Sequence, residues 1–220
     1  MADNATRHRL FKPALFRQIG VLLANPDLFE IHRKKSYKNF HAKGMDYVCF
    51  FHNGATYNKV YFLEEDAAVA PELVNPHDHR YAFRTVCLSG ALRDFRFTRD
   101  PRGDVFQAFD YRTPLCGGNG FTFRGNEQLL QSHHVDLRPG DELMTSATEL
   151  HTITARKPNT VIYLEQFKDV VPDYLPTSCW VRKGEPKPDT SGLYEEMDAD
   201  TYRARLIQTQ QLFDRLPHGR

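Results

Sequence analysis

The sequence predicts an all-β core with a helix at each end. Three observations carry that expectation. Short β-prone runs follow one another from residue 46 to about residue 167, turn signals separate them at close and even spacing, and helical apolar periodicity is confined to the two ends. At 220 residues and 25.5 kDa the chain fits one domain with enough length to bury a real core. Its expected parts are a helical segment over 8–34, a β-barrel core over 46–180, and a polar strap with a last helix over 181–220.

In the first helix Leu15, Phe16, Ile19, Leu22 and Leu23 share one face, with Pro13 suited to a first turn. Asn25-Pro26-Asp27 stops or kinks it, and a short continuation carries Leu28, Phe29 and Ile31. Tyr47 to Phe51 and Lys59 to Leu63 read as strands joined through the hairpin signal Asn53-Gly54. Eight further β-prone runs are expected: 81–88, 92–98, 105–111, 120–124, 133–137, 142–145, 151–155 and 160–167. Pro101-Arg102-Gly103, the glycines around Asn119, and Pro139-Gly140 mark turns between them. Trp180 is expected to seal a barrel end, and a helix over about 201–216, capped by Asp200, packs Tyr202, Leu206 and Phe213 inward.

A net charge of +1 from 29 basic and 28 acidic residues gives no electrostatic pull towards nucleic acid or membrane. No apolar run reaches the length of a membrane span, and the N-terminus lacks the basic-then-apolar order of a secretory signal. Cys49, Cys87, Cys116 and Cys179 form no CxxC and are expected as free thiols, which fits a cytoplasmic location. Gly117, Gly118 and Gly120 have no following Lys-Ser/Thr, so a nucleotide-phosphate loop is rejected.

The histidines are the informative residues. Side chains two apart on a strand face the same way, so His77 and His79 can offer both imidazoles to one ion. His151 begins another strand about seventy residues later. Three neutral imidazoles with positions left open suit Fe(II), Zn(II), Ni(II) or Mn(II).

Here the chain resembles the cupin superfamily. The family's first motif, His-x-His, three or four residues, Glu, six residues, Gly, has its counterpart in His77-x-His79, Phe83 and Gly90. The second, Gly, five residues, Pro-x-Gly, two residues, His, is matched in spacing by Gly140, Ser146-x-Thr148 and His151, with Ala155 at the motif's terminal Asn. The spacings are kept while Phe83, Ser146, Thr148 and Ala155 are substitutions within them. The resemblance covers about 46–168 and implies a double-stranded β-helix, or jelly-roll barrel, around one divalent metal.

Phe83 stands where most cupins carry a glutamate ligand, and phenylalanine cannot coordinate. What remains is similar to the three-histidine Fe(II) sites of cysteine- and cysteamine-dioxygenase-like cupins. That resemblance implies Fe(II), a chelating substrate and O2. The cysteine of the Cys–Tyr crosslink in cysteine-type enzymes matches Phe83, so no such crosslink is expected. Glu149, two residues before His151, is a candidate ligand or base, and Tyr81 a candidate to position oxygen or substrate.

Strand parity aims Tyr81, Phe83, Thr85 and Cys87 inward with the histidines and Arg84 outward. Candidates for contacting substrate are Phe83, Thr85, Tyr61, Arg96 and Gln166, with Lys59 as an alternative cation; Gln166 and Tyr163 lie on opposite faces, so only one looks in. His41 and His52 are read as scaffold or surface. The leading expectation is a dioxygenase-like oxidoreductase acting on a small polar or anionic metabolite. A cupin isomerase, epimerase or lyase and a non-catalytic small-molecule-binding cupin are the alternatives. The terminal helices are candidates either to cap the barrel or to form a homodimer interface.

Overall fold

The computed structural model describes residues 4–54, 56–63 and 75–216, and for residues 4–13 the backbone alone. Two antiparallel sheets face each other with three helices against one of them, the jelly-roll architecture expected from the sequence. The first sheet has the order β11-β1-β2-β3-β9-β4-β7. Its strands are β1 (Tyr37–Lys38), β2 (Met45–His52), β3 (Tyr57–Leu63), β4 (Tyr81–Ser89), β7 (Glu142–Thr145), β9 (Thr160–Asp169) and β11 (Glu195–Glu196). The second holds β5 (Leu92–Arg112), β6 (Gly120–Leu137), β8 (Leu150–Ala155) and β10 (Thr177–Arg182), with β5 paired to β6 along one edge and to β8 and β10 along the other.

Alternation of side chains splits the first sheet into two apolar faces. Val48, Phe50, Val60, Phe62, Val86, Leu88 and Tyr163 point outward and are covered by α1 (Asn4–Ala24), α2 (Pro26–Arg33) and α3 (Ala199–Arg215) through Leu15, Ile19, Phe29, Tyr202, Leu206 and Phe213. Tyr47, Cys49, Tyr61, Phe83, Cys87, Ile162 and Leu164 point inward against Leu92, Leu137, Ile153 and Ala155 of the second sheet. Through these residues the helices cover the outer face of the first sheet.

Several local expectations change. Strands foreseen as separate, 92–98 with 105–111 and 120–124 with 133–137, are continuous in β5 and β6. Pro101-Arg102-Gly103 is a bulge rather than a strand end, since both Arg99 and Asp104 pair with Leu129. A Cβ on Gly103 would lie 2.2 Å from the Leu129 carbonyl carbon, so only glycine lets the ladder close there. α1 continues through Pro13 instead of starting there. The cap of α3 is Asp198, which accepts from Thr201 N at 2.8 Å, so the helix begins earlier than an Asp200 cap implies. Thr177–Arg182, expected only as a seal, is a strand, and Trp180 packs wholly buried in a third cluster with Phe97, Phe106 and Leu129. The four cysteines are free, and only Cys116 is exposed. Among the described residues no helix is long and apolar enough to cross a membrane.

Candidate metal centre

His77 and His79 precede β4 rather than lying within it. Their segment bridges β8 and β10: His77 N donates to His151 O at 3.0 Å, His151 N to His77 O at 3.1 Å, and Asp78 N to Ser178 O at 3.1 Å. Strand-like pairing on both sides preserves the alternation that puts the two imidazoles on one face. His79 N is fixed in turn on Ala147 O, in the turn that leads to His151. The short β7–β8 connection and the segment after residue 75 thus lock each other, and the three histidines with them.

One ligand atom from each of His77, His79 and His151 lies within 4.8 Å of the others. Ring centroids are 4.6 Å apart for His77 and His79, and 5.0 Å for each of them with His151. Two tautomers follow from the partners. His77 Nδ1 is 2.9 Å from the carbonyl of Asn75, which can only accept, so Nδ1 carries the proton and Nε2 keeps its lone pair. His151 Nδ1 is 2.7 Å from Asp94 Oδ2, which leaves Nε2 free in the same way. Nδ1 of His79 is buried with no hydrogen-bond partner among the described residues. Burial, reinforced by repulsion from His151, pushes His77 down to about 3, and burial with the neighbouring histidines holds His79 well below its ordinary value. Three imidazoles meeting at one point, with a carboxylate behind one of them, are the donor set that a borderline divalent cation takes, so the residues fit a metal ion.

Asp94 and Arg96 are the buried charges behind His151. Arg96 Nε lies 2.6 Å from Asp94 Oδ1, and its Nη2 donates to Thr145 Oγ1 at 2.8 Å. The guanidinium of Arg96 is thus engaged by Asp94, the carboxylate that contacts His151. The carboxylate of Glu149 is half exposed, accepts from Ser146 N across the turn and lies 3.3 Å from Arg96 Nη1, outside the cluster of the three histidines. Thr85 points inward but sits opposite Leu143 and Leu164 in the packed interior, away from the histidines.

Phe83 and His79 meet edge to face with centroids 4.7 Å apart, and the Phe83 ring lies 5.7 Å from that of His151. Tyr81 lies 5.7 Å from His79 by ring centroid. A cavity of about 440 Å³ opens over the site, lined by His41, His77, His79, Tyr81 and Tyr111 among others. His41, read from the sequence as scaffold, stands at this opening with its ring 6.4 Å from His77 and stacked on Tyr61. A second hollow shares Tyr81 and is lined also by Lys59, Tyr57 and Gln166. Gln166 is thus the inward member of its pair, while Tyr163 faces the helices and donates to Asn58 Oδ1 at 3.1 Å.

Sequence reasoning missed Asp94, read His41 as scaffold or surface, and named Lys59 only as an alternative cation. Asp94 and Arg96 carried one usable signal, two charges at the inward parity of β5 beside Leu92. His41 lies in an irregular loop and carried none.

No family model and no curated protein matches this sequence. Among solved structures, KdgF from Halomonas sp. aligns with TM-score 0.34 and 14% identity over 57% of this chain and 82% of that one. A cupin superfamily protein from Desulfitobacterium hafniense gives 0.34 and 12% over 56% and 76%. Hydroxypropylphosphonic acid epoxidase from S. wedmorenis gives 0.35 and 13% over 60% and 54%. Similarity this slight carries no argument about family or activity. The jelly-roll assignment stands on strand order and pairing, and the candidate centre on the convergence of His77, His79 and His151.

Proposed function

We propose that the protein is a metal-dependent cupin enzyme whose His77, His79 and His151 hold one Fe(II), and that it oxygenates a small anionic metabolite that chelates the metal. The observation that carries this reading is the donor set: three neutral imidazoles, phenylalanine in place of a carboxylate, and no charge from the ligands themselves. Such a set leaves the full double positive charge of the ion to attract an anionic bidentate ligand. Ferrous iron, when bound, would supply the capacity to activate O2.

The chain's own residues do the remaining work. Asp94 keeps the proton of His151 on Nδ1 and holds the ring in its ligating orientation, while Arg96 balances the charge of Asp94. Phe83 keeps the barrel wall apolar beside His79, which excludes water from one side of the site. Tyr81 offers its hydroxyl at the open side, where it can hold substrate or donate a proton.

A second reading is proton transfer next to a carbonyl without oxygen, as in an isomerase or lyase. The contact of Tyr81 OH with Lys59 Nζ at 3.5 Å favours it, because the pair can pass a proton in a buried setting. Protein loaded with Fe(II) and offered a panel of hydroxy and oxo acids separates the two. Oxygen uptake that stops in an anaerobic chamber supports the oxygenase. Turnover that continues there, with incorporation of solvent deuterium, supports the second reading and overturns the first.

A further inference from the structure

Two cations are deeply buried among the described residues, and they are treated differently. Arg96 is paired with Asp94 and Glu149. Lys59, only 5% exposed, has as its hydrogen-bond partner the phenol of Tyr81, and among the described residues it has no carboxylate in ion-pair reach. It sits on β3 opposite Cys49, with Tyr57 and Tyr61 two residues to either side on the same inward face. Its ammonium lies over the rings of Tyr81 at 5.0 Å and of Tyr47 and Tyr57 at 5.3 Å each. Cation–π attraction offsets part of the cost of removing the charge from water, but it leaves the donors of the ammonium unfilled. The group faces the hollow that Tyr81 joins to the histidine cavity.

We propose that Lys59 is an anion subsite, and that it binds a carboxylate of the substrate at the end remote from the metal, so the substrate class is a small dicarboxylic hydroxy or oxo acid. The chelating end of that assignment rests on the proposed metal centre; the Lys59 end does not. Charge balance favours the class. The Asp94–Arg96 pair cancels internally, and Asp110, Asp169 and Asp173 in the lining of the Lys59 hollow are matched by Arg80, Arg112 and Lys168, so a loaded site would hold the charge of the ion plus that of Lys59, and a dianion with chelating oxygens answers both. A carboxylate fits Lys59 better than a phosphate. One buried ammonium neutralises one negative charge, and the two arginines that line the same hollow donate to backbone carbonyls, Arg80 to those of Pro172 and Leu175 and Arg112 to that of Tyr174. Tyr81 lies between the two ends, within contact of Lys59 and next to His79, which sets the spacing as that of a short carbon chain.

The test uses full-length protein labelled with 13C-lysine, in metal-free and zinc-loaded forms. Succinate, which cannot chelate through a hydroxyl, is titrated while the Lys59 ε-carbon resonance is followed, that resonance being assigned by its loss in Lys59→Met and Lys59→Arg. The expected result is a saturable shift in both forms, with inorganic phosphate a weaker competitor. In the zinc form, malate should bind roughly tenfold or more tighter than lactate, and this ratio should fall to near one in Lys59→Met with zinc content unchanged. No shift of Lys59 with succinate in either form would overturn the proposal, and so would a malate preference that survives in Lys59→Met or phosphate binding in place of succinate. Wild-type protein that shows the succinate shift but takes up no zinc would remove the metal reading and leave the subsite standing. The wild-type titration does not depend on either variant folding well.

Discussion

Nδ1 of His151 and Oδ2 of Asp94 lie 2.7 Å apart across 57 residues of sequence, both side chains almost completely buried. The register of β5 against β8 produces this contact: Asp94 pairs with Ile153 and Arg96 with His151, so the carboxylate meets the imidazole diagonally, two pairs along the ladder on the same face. A hydrogen bond of this kind fixes tautomer and ring orientation and raises the basicity of the other nitrogen.

Removing that carboxylate should loosen the metal. Asp94→Asn is expected to lower Zn(II) or Fe(II) affinity by roughly 10- to 100-fold, measured by chelator competition. It should also cost about 3 kcal/mol of stability in urea melts, because Arg96 loses its closest counter-charge in a buried position. Unchanged affinity would show that Asp94 only pairs with Arg96.

Glu149 should be dispensable for metal. With its carboxylate 48% exposed and engaged by Ser146 N and Arg96, Glu149→Gln is expected to leave metal stoichiometry intact and stability within about 1 kcal/mol of wild type. A loss of bound metal in this variant would return Glu149 to the ligand set.

The metal-free protein should weaken as pH falls. His77 titrates near 3 in the fold, against an ordinary value of 6.5, and His79 is shifted the same way. Between those values the unfolded chain holds protons that the folded chain does not, so stability is lost as pH drops through that window. The slope approaches about 1.4 kcal/mol per pH unit for each histidine. Urea melts from pH 7 to pH 4 check this, and the slope should flatten in the His77→Gln, His79→Gln double variant.

Lys59 should be a stability cost retained for binding. Lys59→Met is expected to raise the stability of the metal-free protein by about 1–2 kcal/mol at pH 7, since it replaces an uncompensated charge with a side chain of similar length. Burial pushes the ammonium down to about 8, below its ordinary 10.5. Above pH 8 the folded protein sheds this proton while the unfolded chain keeps it, so the wild type gains on the variant as pH rises towards 10. A difference that stays constant with pH would show that Lys59 is not buried as a cation.

The order of strands and the meeting of His77, His79 and His151 were legible because both follow from local rules: turn residues, alternation, and two spaced histidine segments flanking a β-rich stretch. Parity also placed Phe83 and Cys87 inside and Arg84 outside, where it pairs with Glu142 and Glu165. What was not legible depends on long-range register. Nothing near Asp94 in the chain marks its partner as His151, and the pairing of Arg96 with that same carboxylate is no more visible there. Lys59 was legible only as an alternative contact on the same strand as Tyr61; its place among the rings of Tyr47, Tyr57 and Tyr81 is a property of three dimensions. The bulge at Pro101-Arg102-Gly103 imitates a turn because glycine and proline serve both.

Bound metal is the most direct measurement of the central claim. Wild-type protein purified anaerobically should carry, or take up from added Fe(II), close to one equivalent of metal by elemental analysis. The His77→Ala, His151→Ala variant should carry none while keeping its β-sheet circular dichroism. Folded wild-type protein that binds no Fe(II), Zn(II), Ni(II) or Mn(II), or a double variant that still binds a full equivalent, would contradict the account.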